Sequence, residues 1–209
     1  MNATDADKAY RQIKEKIVTV KMPPGSVISE AQLMQELGLG RTPIREALKQ
    51  LETENLVVVA PRRGMFVADI AITDLQQIHE VRVELESLCA RLAAERIALE
   101  QLAEMKRLAT EYRHADKRDK NLLMTLDRRF HHLLAQAAGN KFLYNEFEMF
   151  YNLSLRIWYL ALNHVQGDDV DVDAHIEILS AIEAKDGCRA EQTVRKHIQH
   201  FHDTIKQYL

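Results

Sequence analysis

An aspartate and three histidines are the residues of this chain best placed to do chemistry. Asp127 and His131 stand four apart, so on a helix they lie one turn apart and form a ready two-ligand clamp for a metal ion. His175 shares a helical face with Val172, Leu179 and Ile182, and His197 shares one with Val194, Phe201 and Tyr208. All four polar groups then turn toward apolar interiors, where an unpaired ionisable group is expensive and one divalent cation would satisfy the set. Taken singly, the same residues have a plainer explanation. An inward histidine is more often a hydrogen-bonded core residue, and an Asp–His pair at this spacing is more often a surface interaction.

A second chemistry lies near the N-terminus, in GLGRTPIREALKQLETENLV from Gly38 to Val57. Arg41, Thr42 and Arg45 stand at its N-terminal end, with the arginines four apart on adjoining turns at an exposed helix end, as a groove-reading helix requires. Ile44, Ala47, Leu48 and Leu51 repeat at helical spacing and give the same helix an anchoring stripe.

The elements that must position these groups follow from periodicity and breakers. Lys8 to Val20 reads as a first helix, stopped by Pro23, Pro24 and Gly25. Ser29 to Leu37 reads as a short second helix with Ser29 as its N-cap, and Gly38 breaks it from the basic helix. Helix, tight turn and basic-tipped helix make a helix-turn-helix. Leu56 to Ala60 and Met65 to Ala68 are two β-branched or apolar runs about the turn Pro61 to Gly64, a small hairpin wing whose tip carries Arg62 and Arg63 toward a nucleic-acid backbone. From Ile70 the pattern becomes long helices: Thr73 to Ile97, Leu99 to Ala115, Asn121 to Ala138, Lys141 to Asn163, Val172 to Ala184 and Arg189 to Tyr208. Breaks at Gly139-Asn140, Gln166 to Asp169 and Lys185 to Gly187 are short, which predicts an antiparallel all-α bundle. In the third of these helices Leu122, Leu126, Phe130, Leu133, Leu134 and Ala137 form the expected apolar stripe, with His132 facing away. The chain is thus expected to be mainly α, with a winged helix-turn-helix over residues 1–70 and a helical domain over 71–209.

Composition bounds the function. No run of about 18 apolar residues exists, and the start MNATDADKAY lacks the basic and apolar regions of a signal peptide, so a cytoplasmic protein without a membrane partner is expected. Cys89 and Cys188 stand in no metal or redox spacing and read as reduced, packed thiols. Residues 1–70 carry ten Lys/Arg against nine Asp/Glu and the remainder eighteen against twenty-two, so a DNA-facing surface must be a local basic patch.

The order PPGSVISEAQLMQELGLGRTPIREALKQLETENLV followed by RRGMFV resembles the winged helix of GntR-family transcriptional regulators. That resemblance implies that Arg41, Thr42, Arg45 and the wing Gly64 face DNA, with Arg41 and Arg45 nearest the bases or adjoining phosphates. The chain departs from it at Gly40, where the family usually places a Ser or Thr cap. Residues 73–209 resemble the metal-binding version of the FadR C-terminal domain, FCD, through DRRFH, HIEIL and His197. This implies one divalent ion, zinc or nickel, on Asp127, His131, His175 and His197. Coordination positions left open would suit a small carboxylate or hydroxy acid. FCD proteins also place an arginine where this chain has Arg82, which either clamps an effector carboxylate or forms a salt bridge to Glu86.

The function expected from these readings is a homodimeric repressor-type regulator of a palindromic DNA operator, since one recognition helix reads only a few base pairs. Its helical domain senses a small carboxylate through the metal, and it is not an enzyme. Rival readings keep the regulator with a purely structural or sensed metal, replace the effector by an acyl-CoA, or make the bundle site a metalloenzyme. His79, His114, His164, His200 and His202 are assigned to surface or packing.

Overall fold

The computed structural model describes residues 3–161 and 172–208 of the chain. Helix α1 (Asp5–Val18) starts three residues before the sequence expectation because Thr4 and Asp7 close a capping box: the Asp7 amide donates to Thr4 Oγ1 at 3.1 Å and the Thr4 amide donates to Asp7 at 2.9 Å. Strand β1 (Val27–Ile28) and helix α2 (Glu30–Leu37) follow, with Ser29 capping the Gln32 amide. Gly38 then takes the left-handed conformation, φ 64°, that turns the chain into α3 (Arg41–Thr53). The predicted stripe is the buried face of α3: Ile44, Ala47, Leu48 and Leu51 are each at most 1% exposed, and α3 packs on α1.

Strands β2 (Val57–Ala60) and β3 (Gly64–Val67) form the expected antiparallel hairpin, with Val57 opposite Val67 and Ala60 opposite Gly64. β1 adds to its free edge in the order β1-β3-β2, pairing Val27 with Phe66. The two-stranded wing expected from sequence is therefore part of a three-stranded sheet. Two residues are too few to show alternation, so β1 left no legible signal. At the hairpin turn Arg62 has φ 64° and Gly64 φ 103°; the latter is open mainly to glycine.

Beyond the sheet the described residues form the expected helices: α4 (Ile72–Arg96), α5 (Leu99–His114), α6 (Lys120–Ala137), α7 (Lys141–Ala161), α8 (Val172–Glu183) and α9 (Gly187–Lys206). α9 begins ahead of Arg189 because Asp186 accepts the Arg189 amide at 2.9 Å. The predicted break at Gln166 to Asp169, the helix end at Asn163 and His164 lie outside the described residues. Ala90, Ala93 and Ala94 on α4 let neighbouring helices approach, and Phe130, Ile178 and Val194 from α6, α8 and α9 fill the same core. The α6 stripe is rotated from its expected setting: Leu122 is 41% exposed, and Leu123 and Met124 are buried beside Leu126, Phe130 and Leu134.

The chain divides into two units, residues 1–72 with 152–160 and residues 73–151 with 161–209. In the first, the fully buried Arg156 of α7 donates to the Ala68 carbonyl just after β3. No described helix is long and apolar enough to cross a membrane.

Candidate functional site

Within the second unit, α6 carries Asp127 and His131 one turn apart, α8 brings His175 and α9 brings His197. One ligating atom from each lies within 4.8 Å of all the others, so the structure gathers all four sequence-predicted ligands. His175 Nε2 is 3.2 Å and His131 Nε2 3.7 Å from Asp127 Oδ1, and the Nε2 atoms of His131 and His197 are 3.3 Å apart. The side chains of His131 and His175 are fully buried, and that of Asp127 is 15% exposed.

This donor set fits a divalent ion. Two nitrogens about 2.1 Å from a common ion, at angles between tetrahedral and octahedral, sit about 3.0–3.4 Å apart, the spacing of the His131 and His197 nitrogens. Two buried Nε2 lone pairs at that distance otherwise repel unless a proton or a cation lies between them. Three imidazoles and one carboxylate suit zinc or nickel better than calcium or magnesium, which prefer all-oxygen sites.

Around the four residues lies a ring of supporting contacts. His131 Nδ1 is 2.6 Å from Glu86 Oε2, and the guanidinium of Arg82, one turn earlier on α4, donates to Glu86 Oε1. Arg82 also lies 5.0 Å from the centroids of the Tyr151 and Phe201 rings, one on α7 and one on α9. The Tyr151 hydroxyl donates to Asp127 Oδ2 at 2.7 Å. Tyr112 and Phe130 meet the His175 ring edge-on at 4.7 and 4.9 Å.

The electrostatics follow from these neighbours. Burial works to raise the Asp127 carboxyl, but the surrounding histidines hold it well below the usual carboxylate range. Burial is likewise outweighed at Glu86, which Arg82 and His131 keep ionised. At His131 burial opposes the charged form, yet Glu86 and Asp127 raise its pKa. Burial, with His175 and His131 nearby, pushes His197 well below the ordinary imidazole value and leaves it neutral.

Of the two alternatives for Arg82, the structure forms the ion pair with Glu86, with both side chains buried. Glu86, Tyr151 and Tyr112 were not singled out for the site from sequence. The signal available was an acidic residue on the buried face of α4 that also carries Arg82, Cys89, Ala90 and Ala93. His132, expected to face away, is half-buried and bonded to Glu148 and the Arg128 carbonyl. His202 is 5% exposed and stacks on His79 at 4.2 Å, a packing role consistent with its assignment. Of the thiols expected to be packed, Cys89 is buried, whereas Cys188 in the first turn of α9 is exposed.

In the first unit Arg41 and Thr42 are exposed on the first turn of α3 and Arg45 one turn on, and Arg62, Arg63 and Gly64 are exposed at the wing. Gly40 is the α3 N-cap and supplies no side-chain hydrogen bond. Its amide-rich end therefore lacks a side-chain acceptor at that position, which favours an anion there. Arg45 Nε donates to both carboxylate oxygens of Glu30 on α2, at 2.9 and 3.0 Å.

A winged helix-turn-helix joined to a helical domain with a buried polar centre is the layout of a DNA-binding regulator with a sensory domain. Residues 5–67 match the model of bacterial regulatory proteins of the gntR family, and residues 77–200 match the FCD domain. The chain belongs to the GntR family of transcriptional regulators, in the group that carries an FCD effector domain. It is 28% identical over 204 residues to the HTH-type transcriptional repressor RspR of Escherichia coli K12, covering 95% of this chain and 87% of that protein. It is also 28% identical over 208 residues to the repressor GlaR of the same organism, covering 95% and 94%. The solved structure of E. coli McbR/YncC superposes with a TM-score of 0.86 at 20% identity, covering 99% of each chain, and shows the same fold. The family and these relatives are transcriptional regulators, so the metalloenzyme reading is set aside.

Proposed function

We propose that this chain is a cytoplasmic, homodimeric transcriptional repressor whose helical domain binds one divalent ion and a small carboxylate that alters operator binding. The observation that carries this reading is the convergence of Asp127, His131, His175 and His197 from three helices onto one buried point. When bound, a zinc or nickel ion would supply positive charge and open coordination positions for a carboxylate or hydroxy acid. The chain's own residues do the rest. Asp127 and the three imidazoles bind, Tyr151 holds the Asp127 carboxylate in one orientation, and the buried rings of Tyr112 and Phe130 exclude water beside His175. Arg82, which the sequence offered as an effector clamp, is engaged by Glu86 in this structure.

On the DNA side, Arg41, Thr42 and Arg45 supply the donors for base edges and phosphates in a major groove, and Arg62, Arg63 and Gly64 bring the wing to the flanking backbone. Two copies related by a two-fold axis would read a palindromic operator with half-sites about one helical turn, or a multiple of it, apart. The repressor sign is supported by the names of RspR and GlaR.

Metal content by mass spectrometry, wild type beside His175→Ala, tests the site. Near-stoichiometric metal in the wild type, lost in the variant, is expected. A correctly folded wild type that takes up neither zinc nor nickel overturns the metal-linked sensor. If chelation lowers thermal stability while carboxylate binding persists, the metal is structural.

A further inference from the structure

Glu86 and Arg82 lie outside the ligand set, yet both are buried charges that the core would reject without a task. Glu86 is 1% exposed and Arg82 5% exposed, on consecutive turns of α4. The Glu86 carboxylate is divided between two partners: Oε1 takes Arg82 Nε, and Oε2 faces His131 Nδ1 at 2.6 Å. An imidazole has two nitrogens, and a carboxylate oxygen in ion-pair contact with one of them favours the proton on that nitrogen. A carboxylate at Nδ1 keeps the proton there and leaves the Nε2 lone pair aimed at Asp127 and His197. The Tyr151 and Phe201 rings flank Arg82 at 5.0 Å, so the guanidinium is itself held by packing.

We propose that Glu86 is the positioning residue of the metal site, holding His131 in the ligating tautomer and orientation, and that Arg82 acts through Glu86. The inference rests on the metal reading above. An outer carboxylate on a ligating histidine both orients the ring and raises its basicity, and loss of such a partner weakens metal binding about 10–100-fold. This role also separates Arg82 from an effector clamp. A clamp would change carboxylate binding and leave metal affinity alone, whereas a residue that serves Glu86 must change metal affinity and do so only while Glu86 is charged.

The test is competition of full-length protein against a chelator for Zn²⁺ alone, with melting of the metal-free protein as a second readout. Glu86→Gln keeps an acceptor oxygen for His131 but loses the charge, and is expected to weaken Zn²⁺ binding about 10–100-fold. Arg82→Met should weaken it in the same direction. The double variant Arg82→Met, Glu86→Gln removes both buried charges together, and should bind Zn²⁺ no more weakly than Glu86→Gln alone, because coupled residues are not additive. If either single variant fails to fold, the double variant carries the measurement against wild type: about 10–100-fold weaker Zn²⁺ binding is expected, and affinity within twofold of wild type overturns the proposal. Zn²⁺ affinity of Glu86→Gln within twofold of wild type overturns the role of Glu86. An Arg82→Met protein with wild-type Zn²⁺ affinity, or an additive double variant, overturns the role of Arg82. Absence of Zn²⁺ binding in the wild type is a different result, since it removes the metal reading itself.

Discussion

Two thiols in this chain meet opposite surroundings, and their reactivity reports on how tightly α4 is packed. Burial, with the Glu86 carboxylate nearby, pushes the Cys89 thiol up to about 12, while Cys188 is exposed at the start of α9. Because the thiolate is the reacting form, a disulfide reagent at neutral pH should titrate one thiol in the native protein and two after denaturation in urea. Two thiols reacting at similar rates without denaturant would show that α4 opens readily. The same residue scale marks what could be read from the sequence. Asp127, His131, His175 and His197 were legible because each lies in register with apolar neighbours on its own helix. Glu86 and Tyr151 were not, since their partners stand on other helices: Glu86 on α4 faces His131 on α6, and Tyr151 on α7 faces Asp127 on α6. Periodicity shows which way a side chain turns and is silent on what it meets.

At the scale of elements, the recognition helix was readable almost in full. Its anchoring stripe, its glycine break and its basic first turn are local features that helix α3 retains. What escaped was pairing between distant segments, namely β1 on β3 and Glu30 of α2 on Arg45 of α3. The second of these bears on DNA reading. The Arg45 side chain is 62% exposed and that of Glu30 20%, so the pair adds only about 0–1 kcal/mol to stability. Its effect is geometric: it engages Nε and leaves the terminal guanidinium nitrogens as donors for a base edge or phosphate. Against an operator selected from random duplexes, Arg45→Ala should cost about 1–3 kcal/mol on the operator and less on random DNA at the same salt. Glu30→Gln should narrow the ratio of operator to random binding without weakening random binding, because it frees the guanidinium and removes a negative charge near the phosphates. Equal loss on both DNAs in Arg45→Ala would assign Arg45 to a phosphate.

For the whole molecule, the question is how a small carboxylate in a helical domain alters the grip of a winged helix on DNA. Helix α7 has residues in each of the two units: Tyr151 holds Asp127, and Arg156 holds the Ala68 carbonyl after β3. That continuity does not by itself make a switch, since a ligand shifts an equilibrium only by its difference in affinity for the two states. It does fix what must be measured. If a carboxylate weakens operator binding by some factor, linkage requires that the operator weaken carboxylate binding by the same factor. Allosteric coupling between two sites is typically about 1–3 kcal/mol, or roughly 5–150-fold. Small carboxylates and hydroxy acids should therefore be titrated into zinc-loaded protein with and without operator, and operator binding measured with and without each acid. Equal factors in the two directions, abolished by His175→Ala, are the expected result. An acid that binds equally well to free and operator-bound protein occupies the site without being its signal. If no acid in the series shows that coupling, the same titration with Zn²⁺ in place of the acid tests whether the metal is itself the signal.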